Sequence, residues 1–155
     1  MSIDLELQIA SDIKTLPHPT QFQEWVGLAL YTRVDTGELT IRIVDEEGSA
    51  NLNREYREKF GPTNVLSFPY EVIPGIASRF LGDIIICAPV VEKEALEQNI
   101  PLLAHWAHMV IHGVLHLLGY SHDEDKDAEE MESLETEMLI KLGFPPPYPL
   151  DDMEH

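Results

Sequence analysis

The sequence is short of cysteine, of positive charge and of long apolar runs. Cys87 is its single cysteine, so no disulfide can form within the chain, which fits a reducing compartment. Ten Lys and Arg stand against 28 Asp and Glu, a formal net charge of −18 at pH 7. At long range that charge repels nucleic acid and anionic membranes. No apolar run approaches the roughly 18 residues that span a bilayer. The opening residues Met1 to Glu6 lack the basic region and apolar stretch of a secretory signal. The expectation is a cytoplasmic protein with neither a membrane nor a DNA partner. What is present is ordinary for a globular chain: 155 residues, 44% hydrophobic and 25% charged, enough for one domain with one core and incompatible with intrinsic disorder.

The charge is uneven. Residues 121–155 hold 12 acids and two lysines, whereas Arg54, Arg57, Lys59 and Arg79 place four of the ten basic residues close together. An anionic substrate can therefore be held locally even though the whole chain repels it.

Hydrophobic periodicity divides the chain into strands and helices. Ile3 to Ile9 and Glu38 to Val44 alternate with period two, as half-buried strands do. Val65 to Phe68 forms a third strand that Pro69 stops or confines to an edge. Leu81 to Cys87, with Ile84-Ile85-Ile86, reads as a strand buried on both faces. Helices are expected at 20–32, capped by Thr20, then at 45–60, 89–98, 101–118 and 125–142, the last ended by Gly143 and three prolines. Strands early and helices late give an α+β class, a small, mostly four-stranded mixed sheet packed against several helices. Residues 1–144 form a single domain. Residues 145–155 form a Pro- and acid-rich tail expected to be poorly ordered.

The most informative segment is His112-Gly113-Val114-Leu115-His116-Leu117-Leu118-Gly119-Tyr120-Ser121-His122. His112 and His116 lie at i and i+4, on one helical face about a turn apart. Gly119 stands where the helix should close through a left-handed residue, and the turn it allows can bring His122 back toward the same face. Two histidines at this spacing are commonly no more than core or surface residues. A third after a glycine turn, inside an otherwise apolar helix, points to a metal, because buried imidazoles need partners. Three imidazoles with a fourth position open for water are the donor set of a catalytic zinc. Metzincin proteases share this spacing but carry a glutamate general base directly after the first histidine. Here that position is Gly113, which argues against a peptidase.

These residues, together with Pro62-Thr63-Asn64-Val65-Leu66-Ser67-Phe68-Pro69, Leu81-Gly82-Asp83-Ile84, and Asn53, Tyr56 and Arg57 on the preceding helix, resemble the YbeY family of bacterial endoribonucleases over roughly residues 3 to 143. The resemblance implies a zincin-like domain acting as a single-strand-specific, metal-dependent endoribonuclease. Its expected roles are ribosomal RNA maturation at the small-subunit 3′ end and ribosome quality control. It implies one Zn²⁺ on His112, His116 and His122, with Ni²⁺ able to occupy the same nitrogens, and a catalytic Arg57. Partners would be single-stranded or ribosomal RNA and the ribosome or its associated proteins. The chain departs from the family at Ser121, where aspartate is usual.

Arg57 suits this chemistry because a guanidinium matches phosphate geometry and keeps its charge. It could instead be solvated, or paired with Glu58 or Asp45. Arg54 and Lys59 are candidates for positioning substrate, and Ser67 either faces the cleft and contacts substrate or is a strand serine hydrogen-bonded to backbone. His105 and His108 share the helical face of His112 and read as buried neighbours or substitute ligands. His18 and His155 receive no role. On the Glu-rich final helix, Met131, Leu134, Met138 and Leu142 form the buried stripe, and the acids read as a solvated face rather than a metal site. A rival of a different class is a metal-stabilised ribosome-assembly or RNA-binding factor with weak or no cleavage.

Overall fold

The structure, a computed structural model, describes residues 2–31, 34, 36–70, 80–120 and 124–148. Among these residues the chain runs β1 (Ser2–Ala10), α1 (Pro19–Leu30), β2 (Thr36–Val44), α2 (Glu46–Arg57), β3 (Val65–Pro69), β4 (Phe80–Cys87), α3 (Ala88–Glu97), α4 (Leu102–Leu117) and α5 (Asp125–Lys141). The four strands form one mixed sheet in the order β1-β2-β4-β3. β1–β2 and β2–β4 are parallel, and β3 runs antiparallel to β4. This is the α+β architecture expected from the sequence, with β3 and its terminal Pro69 at a sheet edge.

Period-two alternation sets which face of the sheet is dry. Leu39, Ile41 and Ile43 of β2 and Ile84 and Ile86 of β4 are buried, and Ile3, Leu5 and Leu7 of β1 pack against the same core. Ile85 is only half-buried. β4 therefore has one fully dry face rather than two: α4 packs against the Ile84 side, whereas on the other side only Cys87, at the end of the strand, is buried.

α4 is the central helix and touches α1, α3, α5, β3 and β4. It is apolar on almost every side, as a helix surrounded by others must be. Trp106, Val110, Ile111, Val114 and Leu115 are fully buried, and Trp106 meets Phe22 of α1 edge to face at 5.8 Å. Gly113 faces β4, where an added Cβ would lie 2.8 Å from Ile84 Cγ2. The position that holds a glutamate in metzincins is thus filled by the sheet itself. α4 closes as expected at Gly119 (φ 103°), with Gly119 N–H donating to His116 O (3.0 Å) and Tyr120 N–H to Leu115 O (3.1 Å), the paired bonds of a Schellman cap.

Two helix ends differ from the sequence expectation. α1 is capped by His18, not Thr20: Thr20 N–H donates to His18 Nδ1, and His18 N–H donates to Gln21 Oε1 (2.8 Å). Pro19 takes the first helical position, where a missing N–H costs nothing. α2 stops at Arg57 instead of continuing to Phe60, because Glu58 turns left-handed (φ 55°). The chain then folds back along α2, held by Asn53 Nδ2 donating to Gly61 O (2.9 Å) and by Ser49 Oγ, which donates to Thr63 O (2.9 Å) and accepts from Thr63 N–H. This clasp ties α2, and with it Arg57, to the start of β3.

Candidate metal centre and cleft

One face of α4 carries four histidines in succession, His105, His108, His112 and His116, with the rings of His112 and His116 closest, at 4.6 Å. The Nε2 atoms of His112 and His116 lie 3.1 Å apart. Two nitrogens at about 2.0–2.1 Å from one tetrahedral ion would be separated by about 3.3 Å, so this pair already has nearly the spacing of two ligands to one cation. The i, i+4 periodicity of the helix produces that convergence.

On its other side His112 is fixed by a carboxylate. His112 Nδ1 lies 2.5 Å from Glu135 Oε1, and His108 Nε2 lies 3.0 Å from Glu135 Oε2. The Tyr148 hydroxyl also donates to Glu135 Oε2 and lies 3.3 Å from His108 Nε2. Glu135 is 0% exposed. Burial works to raise its pKa, but the hydrogen bonds and charge of His108 and His112 outweigh that and hold the carboxyl well below its ordinary range. The ionised group can only accept hydrogen bonds. His112 must then carry its proton on Nδ1, and in the neutral ring the Nε2 lone pair is turned toward His116. Burial and the adjacent carboxylate push the Tyr148 phenol well above its usual pKa, so it stays a donor.

His108, His112 and Glu135 form a His-His-Glu group whose ligand atoms all lie within 4.8 Å of one another and could hold a metal ion. This corrects the reading of the α5 acids as a uniformly solvated face. Glu135 sits between Met131 and Met138 on the buried side of α5. An acid inside an apolar stripe was the available signal. Tyr148 gave no comparable one, since its role depends on where a proline-rich segment lands. The structure describes that segment as far as Tyr148, and residues 149–155 lie outside the described residues.

His105, the fourth histidine of the stripe, pairs with Glu94 of α3 at 2.9 Å. The hydrogen bond from His105, with a smaller contribution from Asn64, lowers the Glu94 pKa despite partial burial. Asn64 in turn donates to Glu94 (3.1 Å) and accepts from Val65 N–H (2.6 Å), linking this pair to the first residue of β3. A cavity of about 350 Å³ runs past Asn64, Glu94, His105, His108, His112 and Tyr148.

The histidine pair faces a second, larger space. An open cleft of about 620 Å³ is lined by Tyr56 and Arg57 of α2, by residues 63–69 of β3 and the turn before it, and by His112 and His116. Arg57 and Ser67, singled out from the sequence, both line it. Among the described residues Arg57 has no ion-pair partner, Glu58 and Asp45 included. The Asp45 side chain instead accepts from Ser11 Oγ and from Asp12 N–H (3.1 Å). Ser67 Oγ donates to Gly113 O (3.2 Å), tying β3 to the helix that carries the histidines. Arg54 and Lys59 are exposed and do not contribute to the cleft wall. His122, the expected third ligand, and its neighbour Ser121 lie outside the described residues.

Two comparisons with known proteins agree. The solution structure of TM1509 from Thermotoga maritima is similar to this chain with a TM-score of 0.62 and 27% identity, over 88% of each chain. The family model described as Endoribonuclease YbeY matches residues 8–143. A match over that much of the chain, with the histidine segment and the cleft both inside it, means that this protein belongs to the YbeY endoribonuclease family.

Proposed function

We propose that the protein is a single-strand-specific, zinc-dependent endoribonuclease acting in ribosomal RNA maturation and ribosome quality control, with the cation held by His112, His116 and His122. The observation that carries this reading is the pair of Nε2 atoms 3.1 Å apart at the wall of a cleft that also holds Arg57. The His108-His112-Glu135 group is the other arrangement that could bind an ion, and it uses the opposite nitrogen of His112. Both Glu135 oxygens there are already taken by three hydrogen-bond donors in a fully buried position. Glu135 is better suited to orienting His112 than to binding the ion itself.

A divalent cation on these histidines supplies Lewis acidity toward a phosphoryl oxygen and lowers the pKa of water from about 15.7 toward about 7. The remaining work falls to the chain. Arg57 neutralises charge developing on the non-bridging phosphate oxygens, a contribution commonly worth several kcal/mol of barrier. Glu135, held by Tyr148, keeps His112 in the tautomer that leaves Nε2 free of its proton. Ser67 fixes the distance between the β3 wall and α4.

The test is a cleavage assay with metal analysis. The wild type should hold about one zinc per chain and cut single-stranded RNA, and Arg57→Ala should abolish cutting with the metal retained. Normal cleavage by that variant would remove Arg57 from the mechanism. The net charge of −18 favours one second reading, a metal-stabilised ribosome-assembly factor, since long-range electrostatics give this chain little RNA affinity. Metal-loaded wild type that binds ribosomal RNA without cutting it would establish that alternative. No helix among the described residues is long and apolar enough to cross a membrane, and a cytoplasmic site of action on the ribosome follows from the proposal.

A further inference from the structure

The cleft contains little positive charge and an aromatic pair that the chemistry above does not use. Among the described residues Arg57 is the one lysine or arginine in its wall. A single phosphate contact in a chain of charge −18 gains little from counterion release. Affinity for RNA has to come from a short-range source.

Tyr56 and Phe68 both line the cleft, and their rings meet edge to face with centroids 5.2 Å apart and planes at 69°. Tyr56 is 60% exposed, an unusual position for a large aromatic ring with no core to fill. An edge-to-face contact leaves ring surface uncovered. Tyr56 and Phe68 line the same cleft as Arg57, the residue assigned to the scissile phosphate.

Resting on the endoribonuclease reading, we propose that Tyr56 and Phe68 form a stacking platform for an unpaired nucleobase next to the scissile phosphate, and that this platform makes the cleft selective for single strands. Bases within a duplex are already stacked on their neighbours and present no free face. A base in a single strand exchanges solvent for the tyrosine ring, and every base can do so, which gives strand selectivity with little sequence preference.

The experiment uses the full chain, zinc-loaded, as wild type, Tyr56→Leu and Tyr56→Trp. The substrate is a short labelled single-stranded oligoribonucleotide, with a series of analogues that each lack one base. Removing one base beside the cleavage position should lower wild-type kcat/KM roughly 5- to 150-fold, the range of one lost stacking contact. Tyr56→Leu should show a similar loss on intact RNA, through KM with kcat kept, because stacking is the same in ground and transition states. It should also be indifferent to removal of that base, while Tyr56→Trp restores both properties. A Tyr56→Leu enzyme with wild-type KM, or with undiminished sensitivity to the missing base, overturns the platform. Should the wild type cut no RNA, the endoribonuclease reading fails separately, and anisotropy binding of the same oligonucleotide decides: weaker binding by Tyr56→Leu upholds the platform, whereas equal or absent binding by both proteins overturns it.

Discussion

Replacing Glu135 tests how the histidine face is held. Its carboxylate accepts from His112 Nδ1 at 2.5 Å, from His108 Nε2 at 3.0 Å and from the Tyr148 hydroxyl, in a fully buried position. Glu135→Ala leaves those donors without their shared acceptor. Removing one partner of a buried charged network typically costs about 3–5 kcal/mol, a large part of the roughly 5–15 kcal/mol that holds a domain together. Glu135→Gln keeps the shape and one carbonyl acceptor, so its fold should suffer less. It lacks the negative charge that makes His112 a better donor. Loss of such a carboxylate behind a ligand costs about 10- to 100-fold in metal affinity, or about 1.4–2.7 kcal/mol. The assay has two parts. Denaturant unfolding of the metal-free variants can be followed through the buried Trp25 and Trp106, and zinc affinity measured by competition with a chromophoric chelator. Wild-type zinc affinity in Glu135→Gln would refute the orienting role. Complete loss of binding in a folded Glu135→Gln would make Glu135 itself a ligand, and the site would then be the His108-His112-Glu135 group.

Two further perturbations probe the frame around the site. Gly113→Ala sets a methyl 2.8 Å from Ile84 Cγ2 in a fully buried contact; overpacking of about 1–3 kcal/mol is offset by about 1 kcal/mol of helix propensity, so calorimetry should show a lower Tm, and an unchanged or higher Tm would mean that α4 can move off the sheet freely. Glu94 titrates below its ordinary value of 4.5 in the folded protein, so its pairing with His105 adds stability that is complete above that value and is lost as pH falls through the lower folded pKa. Glu94→Gln should therefore be less stable than wild type near neutrality, with the gap closing at acid pH; a gap that stays constant from pH 7 to pH 3 would show that the ionised carboxylate is not what the pairing depends on.

The elements that position the site were legible because they follow local periodicity. Alternation in β1 and β2, the apolar α4 with histidines at i and i+4, and the glycine that closes it are all short-range patterns. The groups that hold the site in place were harder to see. Glu135 reads as one more acid on a Glu-rich helix until α5 is laid against α4, where its place between Met131 and Met138 turns it inward. Tyr148 and the Glu94–His105 pair depend in the same way on which elements become neighbours. His18 does not read as a cap in the sequence because serine, threonine, aspartate and asparagine dominate that role, although a ring nitrogen accepts the same backbone hydrogen bond. α2 ends early because of a left-handed glutamate, a conformation with no marker in residue type.

Which nitrogen of His112 faces the ion decides between the two possible sites. The most direct measurement is the anomalous scattering of zinc-loaded crystals at the metal's absorption edge. A peak about 2.0–2.1 Å from Nε2 of both His112 and His116, open to the cleft that holds Arg57, is the expected result. A peak between His108, Glu135 and the Nδ1 atom of His112, or no peak on this helix face, would contradict it.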